Sequence, residues 1–184
     1  EPGVEYNPYK FIYLGSPFSE NNNMFATRKA LGINNLEKLR AAAGLRIGGQ
    51  SVGHVQYIRG RLFAWLLGLK DTKFVVGFAG TELDIALERG EIDARAVAVD
   101  TVSTSEGYQK LVDFHAILEI PKGHRPRQFA HLPEIESFVR SAIESQVLLM
   151  SRVFWGVGTL VYLPPSTPEK LAEIIRQAFR GAYE

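Results

Sequence analysis

The sequence predicts an α/β fold built on a largely parallel or mixed sheet flanked by helices. Short apolar runs alternate with segments of helical periodicity, which is the pattern of βαβ units. Glycine-rich turns stand where a run gives way to a helix. No internal repeat or low-complexity segment interrupts this order.

Composition agrees and removes several function classes. The 184 residues suit one full domain or two small lobes, and hydrophobic residues at 46% against charged at 22% can supply a core. Lys plus Arg is 21 and Asp plus Glu is 20, a net charge of +1. That balance argues against a protein that works by neutralising a phosphate backbone. Cysteine is absent, which removes disulfides, thiolate nucleophiles, iron–sulfur clusters and cysteine zinc sites. The longest apolar candidate, Val147 to Leu163, is broken by Ser151 and Arg152 and reads as no membrane span. The chain opens Glu1-Pro2-Gly3 with no Met and no signal peptide, so it reads as processed or cut from something longer.

The elements follow in order. Phe11 to Leu14 reads as a strand closed by Gly15-Ser16-Pro17, and Met24 to Thr27 as a second after the turn-rich Asn21-Asn22-Asn23. Asn34 or Asn35 caps a short helix through Ala43, with Gly44 as its stop. Leu45 to Ile47 is a strand running into Gly48-Gly49. His54 to Gly68 is a helix with an apolar stripe of Val55, Ile58, Leu62, Trp65 and Leu69. Gly60 inside it costs about 1 kcal/mol relative to Ala.

Lys73 to Phe78 is a strand. Thr81 and Asp84 resemble a capping box opening a helix that Gly90 ends. Ala96 to Val99 and Phe114 to Ile120 are further strands. Glu134 to Met150 carries Ile135, Phe138, Val139, Ala142, Ile143, Val147 and Met150 at helical spacing and reads as one long amphipathic helix. Thr159 to Leu163 is a strand. Thr167 as N-cap and Pro168 at the first position open a last helix. Its buried face is Leu171, Ile174, Ile175, Ala178, Phe179 and Ala182. Pro, Gly, His and Arg cluster at Pro121 to Pro133. The chain therefore divides into an α/β ligand-binding lobe (1–121), a linker (122–133) and a C-terminal helix–strand–helix segment (134–184).

The stretch Gly48 to His54 carries the most chemistry. It follows a strand and opens a helix. Small residues let the backbone approach a ligand, and the free N–H groups of the first helical turn favour an anion. Gly49, Gln50, Ser51, Val52, Gly53 and His54 are the candidates, with Ser51 and Gln50 as side-chain donors. An ordinary tight βα turn has the same pattern. Gly48 and Gly53 have P-loop spacing, but His54-Val55 stands where Lys-Ser or Lys-Thr is required.

Phe78, Gly80 and Thr81 form a second turn of the same kind. In an open α/β sheet both face the crevice at the carboxyl ends of the strands. Asp100, after the next strand, is either a third wall or a cap. Gly49-Gln50-Ser51-Val52-Gly53 also matches a nucleophile elbow. Glu119, Asp113, His124 and His131 supply a triad order on paper, but no oxyanion segment lies upstream. His54, His115, His124 and His131 lack ligand spacing, so no metal and no cofactor is expected. The basic run Lys122 to Arg127 holds no aromatic residue and reads as a solvated loop rather than a nucleic-acid patch.

Several phrases together resemble one family. They are Gly48 to Tyr57, Phe78-Ala79-Gly80-Thr81, Ala86 to Asp93, Leu132-Pro133-Glu134-Ile135, Leu163 to Pro168, and Tyr6-Asn7-Pro8. Their order and spacing resemble the substrate-binding proteins of tripartite tricarboxylate transporters. The resemblance implies a periplasmic-binding-protein fold of the Venus-flytrap kind. It also implies an extracytoplasmic, periplasmic protein that captures a small organic acid for membrane transporter subunits and performs no catalysis. Gly49, Gln50, Ser51, Gly53 and His54 match that family's second-lobe turn, and Phe78, Gly80 and Thr81 its neighbour. The first-lobe Pro-Gly-Gly phrase has no counterpart, so the resemblance implies a fragment lacking the upstream lobe. In such a fragment the C-terminal apolar faces fold back or form a homodimer. The effector-sensing domain of a transcriptional regulator and, third, a Ser51 hydrolase are the other readings left open.

Overall fold

A computed structural model describes residues 6–16, 20–103, 106–157 and 160–183. In chain order the strands are β1 (Ile12–Gly15), β2 (Asn23–Arg28), β3 (Arg46–Gly49), β4 (Lys73–Val76), β5 (Ala94–Ala98), β6 (Val112–Leu118) and β7 (Val161–Leu163). The helices are α1 (Leu36–Ala41), α2 (Val55–Leu67), α3 (Glu82–Arg89), α4 (Val99–Ser103), α5 (Glu106–Leu111), α6 (Ala142–Gly156) and α7 (Glu169–Tyr183).

Five strands form one mixed sheet in the order β4-β3-β5-β2-β6. β3 runs parallel to β4 and β5, while β2 lies antiparallel between β5 and β6. Alternating side chains serve opposite faces, so both faces must be apolar when both are covered. Phe25, Ala94, Ala96, Ala116 and Leu118 join a core with α2 and α6. Met24, Ala26, Val97 and Ile117 join a second core with α3, α4 and α5. The mixed α/β architecture expected from the sequence is therefore present, with its cores on the two faces of one sheet.

Two glycines of β3 and α2 answer to close packing. A Cβ on Gly48 would lie 2.4 Å from Ile92 Cδ1 and 2.9 Å from Leu83 Cδ2, both in fully buried side chains. A Cβ on Gly60 would stand 3.0 Å from Ile47 Cγ2, so the helix lies tight on the strand. The helix-propensity penalty at Gly60 is offset by that approach.

Several element boundaries move. Gly48 and Gly49 lie inside β3 rather than after it, β4 stops at Val76, and β6 starts earlier and ends at Leu118. α1 is capped by Asn35, whose side chain accepts the Lys38 N–H, and ends at Ala41. Ala43 instead bridges to Lys70. Of the stripe expected on α2, Leu62 is buried but Ile58 and Trp65 are exposed; the buried face is rotated to take in Phe63, Leu66 and Leu67. Thr81 makes no side-chain cap bond. Glu82 takes the Ala79 N–H, and Asp84 pairs with buried Arg95.

The helix expected over Glu134 to Met150 is two elements. Ile135–Phe138 is a 3-10 turn, and α6 starts only after Ser141, whose side chain accepts the Glu144 N–H at 3.2 Å. Arg140 bonds Glu144 at the same end. The helix then continues past Met150 to Gly156, with Ile143 and Met150 exposed and Leu148 buried. Arg152 anchors it to Glu134 and Glu136.

β1 and β7 pair as a separate antiparallel ribbon. Residues 122–133, expected as a linker, give Phe129 and Leu132 to the second core. α7 begins at Glu169, with Pro168 at the capping position its carbonyl defines. It buries Ala172 and packs Phe179 over Gly15, while Leu171 and Ile174 are exposed. Its buried face is thus narrower than expected and rotated. Pro17 and Thr159 lie outside the described residues. No helix among the described residues is long and apolar enough to cross a membrane.

Candidate functional site

The parallel strands β3, β4 and β5 end at one edge of the sheet, where crevices form in α/β folds. The turn after β3 runs through Gln50, Ser51, Val52 and Gly53 into His54. Gly53 has φ +89°, a conformation that favours glycine, and a Cβ there would meet open space. His54 is the N-cap of α2. Its Nδ1 accepts the Gln56 N–H at 3.3 Å, so that nitrogen carries no proton in this contact.

The turn after β4 lies alongside. Its Gly77 N–H donates to the Gln50 carbonyl at 2.9 Å, so the two predicted turns meet through the backbone. Phe78 packs against the second core rather than opening on a crevice. Gly80 takes φ +53°, and Thr81 is exposed. Asp100 sits at the start of α4, exposed, after the end of β5.

A cavity of about 870 Å³ lies at this edge, in the ordinary range for small-ligand sites. Of the residues predicted from sequence, Gly53 and Asp100 line it. Gly49, Gln50, Ser51, Val52, His54, Phe78, Gly80 and Thr81 do not, although the turns that hold them border Gly53 directly or through Gly77. The remaining wall includes residues that sequence reasoning missed: Val55, Ile58 and Arg59 of α2, Glu20 and Asn21 before β2, and Phe154, Trp155 and Leu160 from the C-terminal segment.

Arg59 stands out electrostatically. It is 5% exposed, among the core residues of α2. Its Nη1 donates to Asn23 Oδ1 at 2.8 Å, and the Trp155 ring lies 4.8 Å from the guanidinium carbon. Its buried Nε has no hydrogen-bond partner. Burial lowers the guanidinium to about 10, so it stays charged at neutral pH. Asn23 is held in turn, its amide donating to the Asn21 carbonyl at 2.7 Å. Glu20, on the solvent side, pairs with His124 at 2.8 Å.

The remaining candidate chemistry is engaged elsewhere. Glu119 pairs with Arg125, and His124 with Glu20, so neither completes a triad with Ser51. His115 is buried against Thr27. Among the described residues no group of three or more His, Cys, Asp or Glu is placed to hold a metal.

No family model matches the chain, and no curated protein does. Solved structures do. MatC from Rhodopseudomonas palustris, with bound malate, matches at TM-score 0.61 and 20% identity, over 98% of this chain and 58% of that one. A TctC solute-binding protein from Polaromonas matches at TM-score 0.58 and 17% identity, over 97% of this chain and 57% of that one. A second R. palustris protein, with adipate, matches at TM-score 0.57 and 15% identity, over 95% and 55%. The chain thus has the fold of periplasmic solute-binding proteins and spans somewhat more than half the length of these structures.

Proposed function

We propose that this chain is an extracytoplasmic solute-binding component that captures a small organic acid and presents it to membrane transporter subunits. The observation that carries the reading is the cavity at the carboxyl ends of β3 and β5, with Gly53 and the start of α2 in its wall. The fold supports it, since the similar structures include one holding malate and one holding adipate. A ligand carboxylate suits the N-terminal turn of α2, where free N–H groups and the helix dipole converge. Binding there makes and breaks no bond. The periplasm is the compartment in which such a component works.

Calorimetry against succinate, adipate, hexanoate, benzoate and citrate tests this directly. At least one carboxylate should bind and an uncharged amide analogue should not. Heat from none of them removes the reading. Ser51 lies two residues before Gly53 in the same turn, outside the cavity wall, and we propose that its hydroxyl reaches a bound carboxylate from there. Ser51→Ala should weaken carboxylate binding by about 1 kcal/mol, the net worth of one hydrogen bond. An unchanged Kd would show that the Ser51 hydroxyl lies outside the contact.

The C-terminal segment bears on the partner. Ile143, Leu149 and Val153 of α6 and Leu171 and Ile174 of α7 are all exposed. Covering such side chains is worth about 1.5–3 kcal/mol each. We propose that a second copy of the chain covers them. Light scattering should give a concentration-dependent dimer that Ile143→Glu dissociates; a monomer at every concentration would exclude it.

A further inference from the structure

Arg59 occupies a core position of α2, three and four residues before Leu62 and Phe63, both buried. Arginine is rarely buried there without a carboxylate, because an uncompensated charge out of water is costly. Among the described residues no Asp or Glu forms an ion pair with it. Its hydrogen-bond partner is the neutral amide oxygen of Asn23, and its stacking partner is Trp155. Asn23 is itself 1% exposed and fixed by Asn21, so that oxygen holds the guanidinium in place without neutralising it. A desolvated, oriented cation therefore lines the cavity, its enclosed Nε left without a protein partner.

The other charges of the wall are arranged differently. Glu20, which also contacts His124 at 2.8 Å, and Asp100 are both exposed and both acidic, in the wall of a cavity whose cation is buried. The same wall includes Val55, Ile58, Phe154 and Leu160, which offer hydrocarbon surface. An anion reaching the Arg59 guanidinium gains a charge-assisted hydrogen bond from a desolvated donor. A second anionic group on the same ligand would meet the acidic rim.

We propose that the cavity binds a monocarboxylate with an apolar body: Arg59 receives the carboxylate, the aliphatic and aromatic wall covers the body, and Glu20 and Asp100 discriminate against a second carboxylate. This rests on the solute-binding reading and narrows its ligand class. Asn23 is a positioning residue that keeps Arg59 available by leaving its charge unpaired.

Hexanoate and adipate test it, since they share a six-carbon chain and differ by one carboxylate. Binding is read by calorimetry and by Trp155 fluorescence in a Trp65→Phe background. Hexanoate should bind about 10-fold or more tighter than adipate. Arg59→Gln should weaken hexanoate about 10- to 100-fold, the range for losing a charge-assisted hydrogen bond, and Arg59→Lys should weaken it less. Asn23→Asp supplies an internal carboxylate. It should raise the melting temperature while abolishing hexanoate binding, which a merely structural Arg59 would not do. It carries the test if Arg59→Gln fails to fold.

Hexanoate binding unchanged in Arg59→Gln or in Asn23→Asp overturns the role of Arg59. Adipate binding as tightly as hexanoate overturns the single-carboxylate class and leaves the solute-binding reading standing. Binding of no carboxylate by the parent removes both.

Discussion

Gly53→Asp is expected to lose carboxylate binding by more than about 100-fold, while Gly53→Asn keeps it within about 10-fold. Gly53 lines the cavity and a Cβ there meets no neighbour, so either side chain fits sterically. Both variants share the backbone strain of φ +89°, and Asn and Asp are the side chains that tolerate positive φ best. They differ in charge alone. Two like charges about 4 Å apart near a protein surface repel by ~4 kcal/mol, which is nearly a thousandfold in Kd. Titrating hexanoate and adipate into both variants reads the difference. Equal losses in Asn and Asp would mean that shape, not charge, governs this wall, and no loss in either would place the ligand elsewhere.

How far the sequence foretells this site depends on which side chains are local and which are brought together by the fold. The turn from β3 into α2 is legible because strand, glycines and helix are contiguous. Its contact with the turn after β4 also follows, since parallel neighbours end at the same edge. Arg59 is not legible by the same route. α2 is apolar over more than one face, with Leu62, Phe63, Ala64, Leu66 and Leu67 all buried, so its period alone does not choose which stripe turns inward. A stripe of Val55, Ile58, Leu62, Trp65 and Leu69 leaves Arg59 on its flank, where an arginine reads as a boundary residue with its head in water. The signal was the run Leu62, Phe63, Leu66, which with helical spacing puts residue 59 in the same stripe.

Capping motifs show the same limit. Ser141 and Glu144 stand three apart and do start α6, while Thr81 and Asp84 stand three apart and form no box. The difference is a tertiary competitor: Arg95, 2% exposed, requires a carboxylate, and Asp84 supplies it. The apolar spacing from Glu134 reads as one continuous helix because it runs on through Val139 without a glycine or proline to stop it, and only the Ser141 cap marks where α6 starts. The β1–β7 pairing joins residues at opposite ends of the chain, and nothing in either short strand names its partner. Leu160, next to β7, enters the cavity wall with that return, whereas Phe154 and Trp155 come on α6, which Leu148 and Arg152 seat on the core.

Stability is expected to fall by about 3 kcal/mol as the pH drops from neutral to about 4, through His115. The side chain is 3% exposed on β6, and its Nε2 lies 2.7 Å from Thr27 Oγ1. The Thr27 hydroxyl donates to the Ile33 carbonyl at 3.4 Å, so it accepts from Nε2–H, and Nδ1 is left buried without a partner. Protonating Nδ1 would bury a charge and an unpaired donor together, which is why burial pushes His115 down to about 4. In the unfolded chain the imidazole takes its proton near its ordinary value of about 6.5. Between those two values the unfolded state binds more protons than the folded state, so stability rises with pH across that window and is lost as pH falls through it. The gap, at about 1.4 kcal/mol per unit, gives the ~3 kcal/mol. Carboxylates held low by their partners, such as Asp93 beside Arg46, also withdraw stability in acid, but they do so equally in a variant. Urea melts of the parent and of His115→Gln at neutral pH and near pH 4 therefore isolate the histidine. The parent should lose about 3 kcal/mol more than the variant over that interval, and parallel losses in the two proteins would show that His115 is not the group that titrates.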